Sequence, residues 1–189
     1  MKSDARVRYT RMVIKNSFVK LLAKKPLSKI TVKEICELSE INRATFYKYY
    51  CDSYDLLEKL ESEFLEELEN NVGQSVHNGF RETFTYILTD IKAEGELYKT
   101  LFSENGDPHF PSRIFVSCYN KYASMEDDKR FQQLKPSEQK FFFYFIAQGC
   151  SGILSQWLEN GMTEAVSEVA DFADKLVQST LKSIERTVK

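Results

Sequence analysis

Apolar residues recur at intervals of three and four along almost the whole chain, a spacing that lines one face of an α-helix and not one face of a strand. Val7, Ile14, Phe18, Leu21 and Leu22 follow it over residues 4–24, and Leu56, Leu60, Phe64 and Leu68 follow it beyond Asp52. Phe80, Phe84, Ile87 and Ile91 make a third stripe, and Leu97, Leu101 and Phe102 a fourth. Turn signals separate the stripes at Lys24-Lys25-Pro26, Glu94-Gly95, Asn105-Gly106-Asp107-Pro108 and Asn160-Gly161. With only seven glycines and four prolines in 189 residues, long helices joined by short turns account for the chain. The expectation is an all-α protein of about nine helices, with no sheet and no internal repeat.

Caps place the individual helices. Thr31 with Glu34 three residues on forms a capping box, which satisfies two orphan amide donors at the start of a short helix reaching about Ser39. Asn42 is a good N-cap for a second short helix, Arg43 to Tyr50, and Asp52 for a long one. A helix is expected over roughly 111–124, followed by the polar loop MEDDKR, and Pro136-Ser137 opens another that runs to Glu159. Its FFFYF run at 141–145 is expected to be buried nearly all round. Thr163 is expected to cap a last helix on which Val166, Val169, Ala170, Phe172, Ala173, Leu176, Val177, Thr180 and Ile184 share a broad face.

Several function classes fall away. No run of about 18 uncharged apolar residues exists to span a bilayer, and the opening MKSDARVRYTRM lacks the apolar core of a signal peptide, so a cytoplasmic protein is expected. Cys36, Cys51, Cys118 and Cys150 form no CxxC pair, and His77 and His109 stand apart from any ligand cluster. Neither a metal site, a disulfide framework nor a cofactor is expected. The chain lacks a Gly-rich phosphate loop, a GxSxG elbow, an HExxH motif and a paired Cys-His nucleophile, and no enzymatic activity is expected.

The net charge of −2 conceals an asymmetry. Residues 1–50 hold eight Lys and four Arg against four acids, a net of +8, which leaves −10 on the remainder. A basic third on an acidic body suits a protein one end of which meets a polyanion, but two solvated faces of different sign fit equally well. Within residues 31–50, a short helix, a tight turn and a second short helix match a helix-turn-helix. Lys29, Lys33, Arg43, Thr45, Tyr47, Lys48 and Tyr49 crowd that stretch with donors for phosphates and base edges. On spacing alone a helical hairpin with a solvated basic face stays open.

The string ITVKEICELSEINRATFYKYYCDSYDLL, residues 30–57, preceded by a first helix at 11–22, resembles the N-terminal domain of TetR-family regulators. Thr45-Phe46-Tyr47 and Asp55-Leu56-Leu57 are its most distinctive pieces. The resemblance implies a DNA-binding domain over 1–52 and a dimerisation and effector domain over 53–189, with 53–71 as the connecting helix. It implies that Thr31 and Lys33 touch the DNA backbone at the start of the supporting helix, and that Asn42, Arg43 and Ala44 lead the recognition helix toward base edges. Arg43 is then the residue for bidentate contact with guanine, worth about 1–3 kcal/mol of discrimination. Thr45, Tyr47, Lys48 and Tyr49 correspond to phosphate-holding positions, while Phe46 and Tyr50 face the core. One departure stands out: the family usually has glycine in the turn, and this chain has Glu40. A left-handed non-glycine residue costs on the order of 1 kcal/mol, and a carboxylate near DNA is repulsive.

Near the C-terminus, Tyr144, Gly149, Gly152, Ile153, Trp157, Leu158, Asn160 and Gly161 resemble the TetR-like regulators related to the dihydroxyacetone-kinase regulators of Gram-positive bacteria. That resemblance implies a twofold homodimer in which the last two helices pair with their twins. The interface is expected to use Gly149, Gly152, Ile153, Gln156, Val169, Phe172, Ala173, Leu176, Val177 and Thr180. Two recognition helices then read two half-sites of a palindromic operator in double-stranded DNA. An effector pocket is expected among Phe84, Tyr98, Phe102, Phe115, Tyr119 and Tyr144, apolar walls with polar tips for a small molecule that shifts the two DNA-reading heads. Ordinary core packing is the competing account of each of those residues. Repression is the expected sign of control; the alternative is a helical interaction module, or a co-activator that acts with a partner protein and binds DNA weakly alone.

Overall fold

The computed structural model describes residues 2–75, 79–122 and 132–187, and among them every regular element is helical. The α-helices bounded among the described residues are α1 Lys2–Leu22, α2 Val32–Leu38, α3 Arg43–Phe46, α4 Ser53–Ser75, α5 Phe80–Ala93, α6 Gly95–Leu101, α7 Phe110–Tyr122, α8 Pro136–Glu159 and α9 Val166–Thr187. The expected MEDDKR loop lies outside the described residues. The chain divides into two compact units, Met1–Phe64 with Glu96–Phe110, and Leu65–Gly95 with Pro111–Lys189, the first boundary falling within α4.

In the first unit, Ile14, Phe18 and Leu22 of α1 are wholly buried together with Ile35, Phe46 and Leu56, which is the outcome the three-and-four spacing requires. The segment after α6 joins this unit through its backbone: the Leu27 amide donates to the Asn105 carbonyl at 2.9 Å, and Asn105 Nδ2 donates to the Leu22 carbonyl at 3.0 Å. Phe64 meets Tyr98 and Phe110 edge-on, with centroids 4.9 and 5.7 Å apart. Gly106 fits because its Cα lies against the chain; a Cβ there would stand 2.6 Å from the Leu101 carbonyl oxygen.

In the second unit α9 packs along α5. Ala170, Ala173, Val177 and Leu181 form its buried stripe, and Phe84, Ile87, Leu88 and Ile91 the buried stripe of α5. Arg81 of α5 pairs with Asp171 of α9 at the rim. Gly161, at φ 79, ends α8, and the Trp157 indole NH donates to the Glu164 carbonyl at 3.2 Å, fixing the corner before α9.

Three expectations are corrected. The second short helix is α-helical only over Arg43–Phe46 and continues to Tyr50 as tight turns, with the Lys48 amide bonded to the Thr45 carbonyl and the Tyr49 amide to the Phe46 carbonyl. Thr163 does not cap the last helix; its hydroxyl donates to Glu164, and the helix starts at Val166 behind an Ala165 amide held by the Glu168 carboxylate. The FFFYF run is not buried all round: Phe141 is 72% and Phe145 65% exposed in the protomer, with Tyr144 half-exposed. Five consecutive aromatics wrap a helix through more than one full turn, so a single neighbouring surface cannot cover them. The buried face of α8 lies further on, at Ala147, Cys150, Leu154, Trp157 and Leu158.

Candidate nucleic-acid interface

The reading surface is built by caps. The Thr31 hydroxyl accepts from the Glu34 amide at 3.3 Å while the Glu34 carboxylate accepts from the Thr31 amide at 3.0 Å, closing the capping box of α2. Lys25 donates to the same carboxylate at 2.5 Å. These bonds, the one from Lys25 first and those from Thr31 after it, hold the Glu34 carboxyl down to about 2 from its ordinary 4.5. The supporting helix therefore starts at a fixed place relative to the loop before it.

Glu40 occupies the turn with φ 55, the left-handed conformation that the usual glycine serves there. Asn42 follows as the N-cap of α3, its Oδ1 accepting from the Thr45 amide at 2.7 Å and from the Thr45 hydroxyl at 2.9 Å. The Asn42 carbonyl oxygen is thus occupied, and its amide NH2 is what it can offer to an outside acceptor. Phe46 is wholly buried and packs on Tyr47 and Tyr50, so one inward ring sets the azimuth of the whole turn.

Around that ring the expected residues lie outward. Thr31, Lys33, Asn42, Arg43, Ala44, Tyr47 and Lys48 are exposed, and Thr45 and Tyr49 are half-buried. Tyr50 is buried, as expected of a core position. Lys33 lies 3.8 Å from Glu37 in an open ion pair, whereas Arg43 and Lys48 have no carboxylate partner among the described residues. Two exposed cations within six residues, with no carboxylate partner among the described residues, are available to an external anion.

Sequence reasoning missed two bracing lysines. Lys59 donates to the Tyr49 carbonyl and to Asp55, both at 2.9 Å, and lies 5.5 Å from the centre of the Tyr50 ring. It thereby closes the end of the recognition turn, and its hydrogen bond with Asp55 lowers the carboxyl's pKa and raises that of the ammonium. The Asp55-Lys59 spacing of four residues was a readable signal. Lys25 reaches Glu34 across a loop, and no local spacing predicts it.

The residues expected at an effector pocket are distributed over both units. Phe84 and Phe115 pack 5.8 Å apart in the second, while Tyr98 and Phe102 pack 6.1 Å apart in the first. Tyr144 is half-exposed on α8, and the side chain of Tyr119 lies outside the described residues. Of the expected dimer residues, Gly149, Gly152, Gln156, Phe172 and Leu176 are exposed and Ile153 and Thr180 half-buried. Val169, Ala173 and Val177 are buried within the protomer, because the inward stripe of α9 already faces the unit's own core.

A family model described as a transcriptional regulator C-terminal region, of the TetR type, matches residues 74–179, more than half of the chain. The chain belongs to the TetR family of transcriptional regulators. An HTH-type transcriptional regulator of Bacillus subtilis (strain 168), YxbF, is 26% identical over 164 residues, 84% of this chain, and the chain spans about 42% of that relative's length. Three solved structures share the fold. The dihydroxyacetone kinase operon activator DhaS matches with a TM-score of 0.65 and 19% identity, over 92% of this chain and 96% of its own. A TetR transcriptional regulator from Streptococcus agalactiae 2603V matches at 0.66 and 24%, over 94% and 98%. The fatty acid degradation regulator FadR from Bacillus halodurans matches at 0.66 and 12%, over 89% and 94%. The described residues of this TetR-family chain hold no helix long and apolar enough to cross a membrane.

Proposed function

We propose that this regulator is a cytoplasmic homodimer that binds a palindromic operator through residues 1–52, represses transcription there, and releases DNA when a small molecule binds the body formed by 53–189. The observation that carries the reading is the turn Asn42-Arg43-Ala44 held outward by buried Phe46, with no carboxylate partner for Arg43 or Lys48 among the described residues, in a region, residues 1–50, of net charge +8. Arg43 offers the bidentate fork for guanine; Lys33, Thr45, Tyr47, Lys48 and Tyr49 hold phosphates, with Thr31 fixing the supporting helix. One such turn reads too few bases, so a second copy is needed for useful specificity. The exposed Gly149, Gly152, Gln156, Phe172 and Leu176 supply a face for it.

Control by a small molecule is supported by connectivity. The chain leaves the second unit after α5, packs Glu96–Phe110 into the first unit through Asn105, and returns at α7. A ligand that displaces α5 or α7 therefore pulls on the head covalently, which gives the two sites a coupling free energy.

Selection of bound duplexes from a random pool, followed by salt titration of the winner, tests the reading. A palindrome with a steep salt slope, and loss of base preference in Arg43→Ala, is the expected outcome. No enriched sequence, with weak binding even at low salt, refutes it. The second reading, a partner-dependent co-activator or interaction module, is favoured by the exposed carboxylate of Glu40 in the turn and by the name of DhaS, an operon activator of the same fold.

A further inference from the structure

The corner between α8 and α9 is held by more than a helix end requires. The Met162 amide donates to the Trp157 carbonyl at 2.8 Å and the Gly161 amide to the Leu158 carbonyl at 3.1 Å, and these two bonds close α8. One left-handed residue, Gly161 at φ 79, serves that closure. Met162 is a second, at φ 57, a conformation that a methionine rarely adopts. Its side chain has a specific seat on Gly95, where a Cβ would collide with Met162 Cε and stand 3.2 Å from Sδ. Three residues before that seat, the Lys92 ammonium lies over the Trp157 ring, 5.8 Å from its centre. The corner therefore grips the chain on both sides of Glu94, the single residue between α5 and α6.

Gly95 is also the last residue of the second unit before the chain enters the first as Glu96–Phe110. That segment is tied to the head: the Asn105 side chain donates to the Leu22 carbonyl at the end of α1, and the Asn105 carbonyl accepts from the Leu27 amide. Resting on the operator-binding reading above, we propose that Met162 is a positioning residue for DNA binding, which acts through its seat on Gly95 by fixing where α6 starts. Because Gly95 has no side chain, the methionine bears on the main chain itself at the passage into the first unit. A shift of the corner is therefore passed to the start of α6, and through the segment that follows to Leu22 and Leu27. The backbone at Met162 agrees with this role. Glycine would fit φ 57 with less strain, and it carries no side chain to seat on Gly95.

The test reads the seat and its consequence separately. In protein labelled at the methionine methyls, the Met162 line is assigned by its loss in Met162→Gly, and Gly95→Ala moves that line in the DNA-free protein. Binding is then measured on the duplex that the wild-type protein selects from a random pool. Met162→Gly and Gly95→Ala each weaken that binding at least about 5-fold. Helix content is unchanged and the unfolding midpoint stays within about 4 °C of wild type, because Met162→Gly relieves the left-handed φ and the methyl of Gly95→Ala meets only the end of a flexible side chain. Gly95→Ala/Met162→Gly loses no more than either single variant, since the added methyl takes the place that the thioether methyl has left. A Met162 line that ignores Gly95→Ala overturns the seat. Single variants that bind like wild type, losses that multiply in the double variant, or a midpoint that falls in step with binding overturn the positioning role and leave the operator reading standing. A wild-type chain that selects no duplex removes both.

Discussion

In the unit that carries the helix-turn-helix, Phe46 and Tyr50 go inward and the short polar side chains serve as caps; along the first half of α8, Phe141, Tyr144 and Phe145 stand outward, and Gly149 and Gly152 leave bare positions further on. Phe46 and Phe145 are both one-ring residues on helices, yet one is wholly buried and the other mostly exposed. The difference teaches that the first surface is finished within one protomer, whereas the second is one face of the homodimer proposed above. A finished surface shows its value in protomer stability, and a half-surface shows it only as a term that depends on protein concentration.

The largest expected effect separates the two. Phe46→Ala empties the centre of the recognition turn and removes the ring on which Tyr47 and Tyr50 pack, so a loss of about 3–5 kcal/mol is expected in urea unfolding at every protein concentration. Phe145→Ala is expected to leave the protomer within about 0.5 kcal/mol of wild type and to lower the unfolding midpoint only as concentration rises into the dimer range. Equal, concentration-independent losses would erase the contrast between the two units.

The glycines sharpen the same contrast with opposite signs. Gly106→Ala places a methyl 2.6 Å from the Leu101 carbonyl, a backbone atom that cannot swing away, and a destabilisation of about 1–3 kcal/mol follows. Gly152→Ala adds a methyl to open space in mid-helix, which should stabilise the protomer by about 0.5–1 kcal/mol while weakening self-association. Thermal unfolding read beside sedimentation reports both numbers; a Gly152→Ala protein that associates as tightly as wild type contradicts a place for Gly152 in the proposed homodimer face.

Smaller again is the effect at Glu40, where the turn departs from the family's glycine. Glu40→Gly relieves a left-handed φ of 55 and is expected to stabilise the head by about 0.5–1 kcal/mol, net of the entropy glycine adds to the unfolded chain. Removing the carboxylate should raise DNA affinity a further roughly 2- to 5-fold at low salt. Unchanged DNA affinity at every salt concentration would show that Glu40 lies away from phosphates.

How much of this was legible in the sequence follows the same division. The caps at Thr31, Asn42 and Asp52 were readable because their partners lie three residues away or fewer, and all three form as the spacing requires. The core stripes of α1, α4 and α5 were readable from periodicity. What escaped was tertiary: that Lys25 reaches Glu34, that Ala173 and Val177 turn to their own unit's core, and that Phe141, Tyr144 and Phe145 of the FFFYF run stay exposed in the protomer. A run of aromatics states that burial is wanted, and it does not state which chain provides it.

The smallest expected effect tests whether the head's polar network is as local as its caps. Glu34 is held at about 2 by Lys25 and Thr31, below its ordinary 4.5. A carboxyl depressed by folding adds stability that is fully present above its unfolded value and is lost as pH falls through its folded one, so the loss runs from about pH 4.5 down to about 2. Glu34→Gln keeps an acceptor for the Thr31 amide but removes the proton linkage and the charge that Lys25 meets. Acid unfolding followed by helix circular dichroism should therefore show a shallower decline in the variant across that window, with a slightly lower starting stability at pH 7. Asp55 is depressed in both proteins and contributes equally to both curves, so the difference between them isolates Glu34. Parallel curves would mean that neither Lys25 nor Thr31 holds the carboxylate in solution, and the start of α2 would then be fixed by the Thr31 hydroxyl on the Glu34 amide alone.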